Sequence, residues 1–156
     1  MKKFSKEGID GTRAYFEDNF DEIEVTLGDS EFSYFVLPHT LEPNLKNFVF
    51  RCTGEPEDGY VFGISDTVPE QFRQYAVAHE YIEFMRIGMG TPDRCMTALE
   101  EELKLVPKDI RHDYMRMRRD FFHDLIQYCE AKPEKYTPDD IAEFKGSLRL
   151  LEELVQ

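Results

Sequence analysis

Several signatures that would assign a function outright are missing from this chain. It has only three cysteines, Cys52, Cys95 and Cys129, an odd number with no CxxC pair. That count argues against a disulfide framework and against a thiolate-rich zinc site. The first residues, MKKFSKEGIDGTR, carry lysines but no apolar stretch behind them, so no secretory signal is expected. No uninterrupted apolar run is long enough to span a bilayer. A cytoplasmic protein with no membrane contact is the expectation. GxGxxG, P-loop, GxSxG and Cys-His arrangements are also missing, which leaves nucleotide binding and serine or cysteine hydrolysis without support.

Positive charge is scarce too. Thirty-two acids stand against 19 bases over 156 residues, a formal net charge of -13. A surface of that sign repels phosphate backbones at long range, so no nucleic-acid partner is expected. The aromatics alternate with acids rather than bases, which argues against stacking on single strands. A protein or peptide partner, or a cation, suits such a surface better.

The chain does hold ample core material. Thirteen Phe and eight Tyr sit within a 41% hydrophobic composition, enough for one domain over 1–156. Residues 1–66 read as a short helix near 10–20 followed by β-type runs, EIEVTL, EFSYFVL, NFVFRC and YVFGIS. Separators such as LGDS and TGEPEDG supply the turns. After Asp66 the period becomes helical. Pro69 is expected in the first turn of a helix running through AVAHEYIEFMRI, and Thr91-Pro92 is expected to cap and open a second, ending near Pro107. A third spans 108–131, and TPDD at 137–140 starts a fourth. The expected fold is α+β: a small, mainly antiparallel sheet followed by four helices.

Candidate chemistry centres on VAHEYIEF, residues 77–84. Residues four apart on a helix share a face, so His79 and Glu83 point together, beside Phe72, Tyr75, Ala76 and Ile82. A carboxylate on a buried face needs a cation, a donor or a metal. Glu80 lies about a quarter-turn away, the position of the general base in HExxH hydrolases. A third ligand must come from elsewhere. Among Glu100, Glu101 and Glu102, a helical wheel places only Glu102 in the apolar half, with Cys95, Ala98, Leu99 and Leu103. Arg94 and Lys104 fall in the polar half.

Eighteen residues separate Glu83 from Glu102, the HExxH-x18-E ligand spacing of gluzincin aminopeptidases. The wider run GISDTVPEQFRQYAVAHEYIEF resembles the strand, loop and active helix of ImmA/IrrE-type minimal zincins, and ALEEELKLVP resembles their second helix. The likeness covers roughly residues 60–107. It implies a zincin-like fold, a divalent metal on His79, Glu83 and Glu102, and Glu80 as the base of a peptidase. The departure is Glu83, which stands where those families carry a second His. Two carboxylates would cancel the ion's formal charge and weaken its activation of water. Such a set admits zinc, and suits manganese, magnesium or calcium better than a His-rich site does. Two readings follow: a metal-dependent peptidase, or a degenerate metallopeptidase scaffold that has lost hydrolysis. The scaffold features are spread over several elements, whereas the chemistry rests on one non-standard ligand, which favours the second.

A third reading uses RHDYMRMRRDFFHD. The His112-Asp113 and His123-Asp124 dyads lie eleven residues apart on one side of a helix and are of a type found in metal phosphohydrolases. Arg111, Arg116, Arg118 and Arg119 interleave with them and fit a charged surface face better.

Overall fold

A computed structural model describes residues 4–5, 8–9, 12–41, 49–52, 61–88 and 91–156. Gly90, part of the chain break expected after the HEYIE helix, and the TGEPEDG separator lie outside the described residues, as does the start of NFVFRC. The architecture is α+β, as expected. Contacts group the chain into two compact units, Met1–Tyr81 and Ile82–Gln156. The last strand ends at Ser65 and the first long helix begins at Glu70.

In the first unit, β1 (Phe4–Ser5) and β2 (Gly8–Ile9) form a small antiparallel pair, and α1 (Arg13–Asn19) follows. The Thr12 hydroxyl caps α1 by accepting from the Tyr15 amide at 3.2 Å. The main sheet contains β3 (Glu22–Leu27), β4 (Ser30–Leu37), β5 (Val49–Cys52) and β6 (Val61–Ser65) in the order β3-β4-β6-β5. The β3–β4 hairpin turns at Gly28-Asp29, where Gly28 has φ of 60° at the first loop position. The β4–β6 pairing is parallel and the other two are antiparallel.

Every residue of β6 is buried, consistent with its unbroken apolar run VFGIS in a central position. Helix α2 (Glu70–Tyr81) packs against β5 and β6. Phe32 of β4 stacks on Tyr81 at 5.1 Å between centroids. Phe16 of α1 is fully buried against Phe35 of β4.

The helical run does not stop at Tyr81. It widens into a π-type turn over Ile82–Ile87, closed by the Gly88 amide donating to the Glu83 carbonyl at 2.9 Å. π-bulges recur at functional sites because the extra residue re-aims the side chains around it.

In the second unit, α3 (Arg94–Leu105), α4 (Lys108–Glu130) and α5 (Pro138–Val155) surround a core that includes Leu99, Tyr114, Phe122 and Leu151. The α5 start reads as expected. The Thr137 hydroxyl accepts from the Asp140 amide, and the Asp140 carboxylate accepts from the Thr137 amide. The α3 start differs. Pro92 precedes the helix rather than opening it, and the Thr91 hydroxyl donates back to the Ile87 carbonyl at 3.3 Å. Asp93 enters α3 with φ of 57°, without a side-chain cap. The cap comes instead from α5, where Glu143 Oε1 accepts from the Cys95 amide at 2.7 Å.

Candidate metal centre

The last turn of α2 carries His79 and Glu80, and the π-type turn brings Glu83 one turn later on the same helical run. His79 and Glu83 are both buried, at 3% and 7% exposure. Glu80 is half-buried. The helix-face reading of this segment holds, with Phe72, Tyr75, Ala76 and Ile82 buried as well.

A buried carboxylate needs compensation. Arg94, at the start of α3, donates from Nε to Glu83 Oε2 at 2.9 Å, while its guanidinium lies over the Phe84 ring at 5.4 Å. Two arginines nearer in sequence, Arg73 and Arg86, are placed otherwise. Arg73 donates to the carbonyls of Val68 and Asp66, and Arg86 is exposed. Arg94 reaches Glu83 because α3 packs against the π-type turn, which the helical wheel of α3 alone does not reveal.

Glu102 faces inward, fully buried, as its wheel position predicted. Its partners are Tyr114, whose hydroxyl donates to Oε2, and Arg118, whose Nε lies 2.9 Å from Oε2. Arg118 had been read as part of a charged surface face, yet it is 2% exposed and lies 5.1 Å from the ring centroids of Phe121 and Phe122. Burial works against its charge, but Glu102, Tyr114 and Cys95 outweigh that and raise its pKa above the ordinary guanidinium value. The alignment is imperfect, since neither Nε nor Nη1 meets hydrogen-bond geometry. This is a close ion pair rather than a bidentate fork.

Glu102 does not join Glu83; the potential ligand nearest Glu83 on α3 is Cys95. Within the second unit, Glu83 and Cys95 each offer a donor atom within 4.8 Å of the other. Both are buried. Cys95 belongs to the apolar half of the α3 wheel, so its burial was legible, but a thiol on that face reads as a small hydrophobe. The Ser147 hydroxyl, itself buried, donates to Cys95 Sγ at 3.2 Å.

The α4 dyads lie elsewhere. His112 and His123 are exposed. His112 Nε2 lies 3.2 Å from the Val155 carbonyl, and His123 Nε2 lies 3.8 Å from Glu152 on α5. No third ligand joins either histidine among the described residues. His39, in the loop after β4, has a partner in Asp66, at 2.9 Å from its Nδ1.

No protein-family model, curated protein or solved structure matches this chain. Among the described residues, no helix is long and apolar enough to cross a membrane.

Proposed function

We propose that this chain is a zincin-related scaffold that engages a protein or peptide partner without hydrolysing it. The observation that carries the reading is the Glu102–Arg118 pair, 2.9 Å apart and buried on both sides. A carboxylate recruited to a metal would leave that guanidinium buried and uncompensated, a cost of several kcal/mol. Glu83 is similarly engaged by Arg94. The oxygen-rich ligand set suited to manganese, magnesium or calcium is therefore not the set that these contacts favour. Any cation taken by the centre serves structure in this reading, and the acidic surface, with its net charge of -13, selects a basic partner.

The second reading, an active peptidase with Glu80 as general base, draws on the His79-Glu80 pair and the nearby donors. One assay separates the two. The zinc-loaded full chain and its Glu80→Gln variant are incubated with an unstructured protein substrate, and new N-termini are counted. The scaffold reading expects equal, background cleavage in both. General acid–base groups contribute about 10²–10⁴-fold. A wild-type rate about 100-fold above that of Glu80→Gln would overturn the scaffold reading.

A further inference from the structure

We propose that the outer edge of β3 takes up an extended segment of a partner protein as an added strand, one in which Lys or Arg alternates with apolar residues. The inference rests on the partner-engaging half of the scaffold reading, and it specifies where and how that partner is held.

The backbone comes first. β3 stands at one end of the strand order, and among the described residues no strand pairs with its outer side. The Val36 amide donates to the Asp21 carbonyl at 3.1 Å, so Asp21 turns its backbone polar groups toward β4. Alternation along an antiparallel ladder turns Ile23, Val25 and Leu27 the same way. Glu22, Glu24 and Thr26 are left with amides and carbonyls aimed outward, a row with which an incoming strand can pair. The strand carries none of the usual devices that blunt an edge. Its register with β4 runs from Glu22 to Leu27 without a bulge, and EIEVTL has neither Pro nor Lys.

Side chains select the occupant. Glu22, Glu24 and Thr26 occupy one face of β3, and Ile23, Val25 and Leu27 the other. The first three are exposed, and Glu31 of β4, opposite Thr26, extends the acidic face. Between residues 12 and 33, seven acids stand against one base, Arg13. Arg13 lies 3.0 Å from Glu22, which leaves Glu24 and Glu31 without a basic neighbour among the described residues. On the other face Ile23 is 41% exposed beside buried Val25. An open depression of about 440 Å³, lined by Glu24, Val25, Thr26, Glu31, Phe32 and Ser33, lies on the same two strands. A strand laid along this edge brings its basic side chains beside Glu24 and Glu31 and its apolar ones over Ile23. Opposite charges on neighbouring strands stabilise, whereas like charges placed opposite one another destabilise. A second copy adding β3 to β3 would bring glutamates together on one face, so the charge pattern favours a basic segment instead.

The probe is a peptide of alternating lysine and valine, long enough to span the six residues of β3. It is added to the full chain at physiological ionic strength, where long-range attraction is screened. The expected result is saturable one-to-one binding with slowed hydrogen exchange at the Glu22, Glu24 and Thr26 amides. Thr26→Pro removes one outward amide and no bond to β4, and Glu24→Lys/Glu31→Lys reverses two charges. Each weakens binding by about tenfold or more. N-methylation of the peptide amides that face β3 has the same effect from the partner's side, about tenfold or more. That comparison decides the question even if Thr26→Pro fails to fold. The proposal is overturned if the peptide does not bind, if it binds without protecting those amides, or if the N-methylated peptide binds equally well. Dimerisation of the chain alone that Thr26→Pro abolishes would make a second copy the occupant and overturn it too. Peptide binding at β3 and Glu80-dependent cleavage are separate readouts, so failure of this proposal and failure of the scaffold reading are distinguishable.

Discussion

Replacing Glu102 with leucine is expected to destabilise the second unit by about 3–5 kcal/mol, because it strands the Arg118 guanidinium in the core. Arg118 is 2% exposed, and Glu102 is its close anionic partner. Leucine supplies similar bulk but no charge, and Tyr114 loses the carboxylate its hydroxyl donates to. Against a total stability of about 5–15 kcal/mol, such a loss approaches the limit of folding.

The double variant Glu102→Leu/Arg118→Met separates pair energetics from simple loss of packing. Buried ion pairs replaced as a unit by apolar groups are often neutral or stabilising, because both desolvation costs disappear together. The imperfect alignment of Arg118 strengthens that expectation, since two of its nitrogens make no hydrogen bond. Urea unfolding of the two single variants and the double one should show most of the loss recovered in the double. Single-variant losses that simply add would contradict the pairing described here.

The second large effect belongs to the first unit. Phe16→Ala is expected to cost about 3–5 kcal/mol, the range for truncating a buried aromatic residue. Phe16 is fully buried. Its ring centroid lies 5.4 Å from Tyr15, 5.9 Å from Phe20 and 5.7 Å from Phe35, and the last of these contacts ties α1 to the sheet. Each such pair adds about 0.5–1.5 kcal/mol beyond area burial, and alanine forfeits all three. Thermal unfolding should fall by roughly 10 °C, taking 2–4 °C per kcal/mol for a chain of this size. Phe16→Leu should recover most of that. A loss below about 1 kcal/mol for Phe16→Ala would mean that α1 is not anchored through this ring.

Much of the fold was legible because its signals are local. EIEVTL is β3 residue for residue, and YVFGIS contains β6. TPDD marked the start of α5, whose capping box has its donors and acceptors within four residues. The burial of Glu102 followed from its angle on α3, a property of a dozen consecutive residues. What escaped was decided between distant segments. Glu143 caps α3 from 48 residues away, and no pattern around Thr91 can report it. The parallel β4–β6 pairing depends on which strands neighbour each other, which alternation within a strand does not encode.

The candidate site divides along the same line. His79 and Glu83 converge because a helix turn makes them converge, so the sequence shows it. Arg94 and Arg118 lie 11 and 16 residues from their carboxylates. Read singly, each resembles the charged residues that populate surfaces. Cys95 falls in the apolar half of the α3 wheel and is buried, so its place inside was legible.

The central claim is that Glu102 serves the core of the second unit, held by Arg118 and Tyr114, rather than a metal. Zinc titration of the full chain and of its Glu102→Leu/Arg118→Met variant tests it most directly. The account predicts that the two chains respond to zinc alike. Zinc uptake by the wild type that is lost in the folded double variant would contradict it.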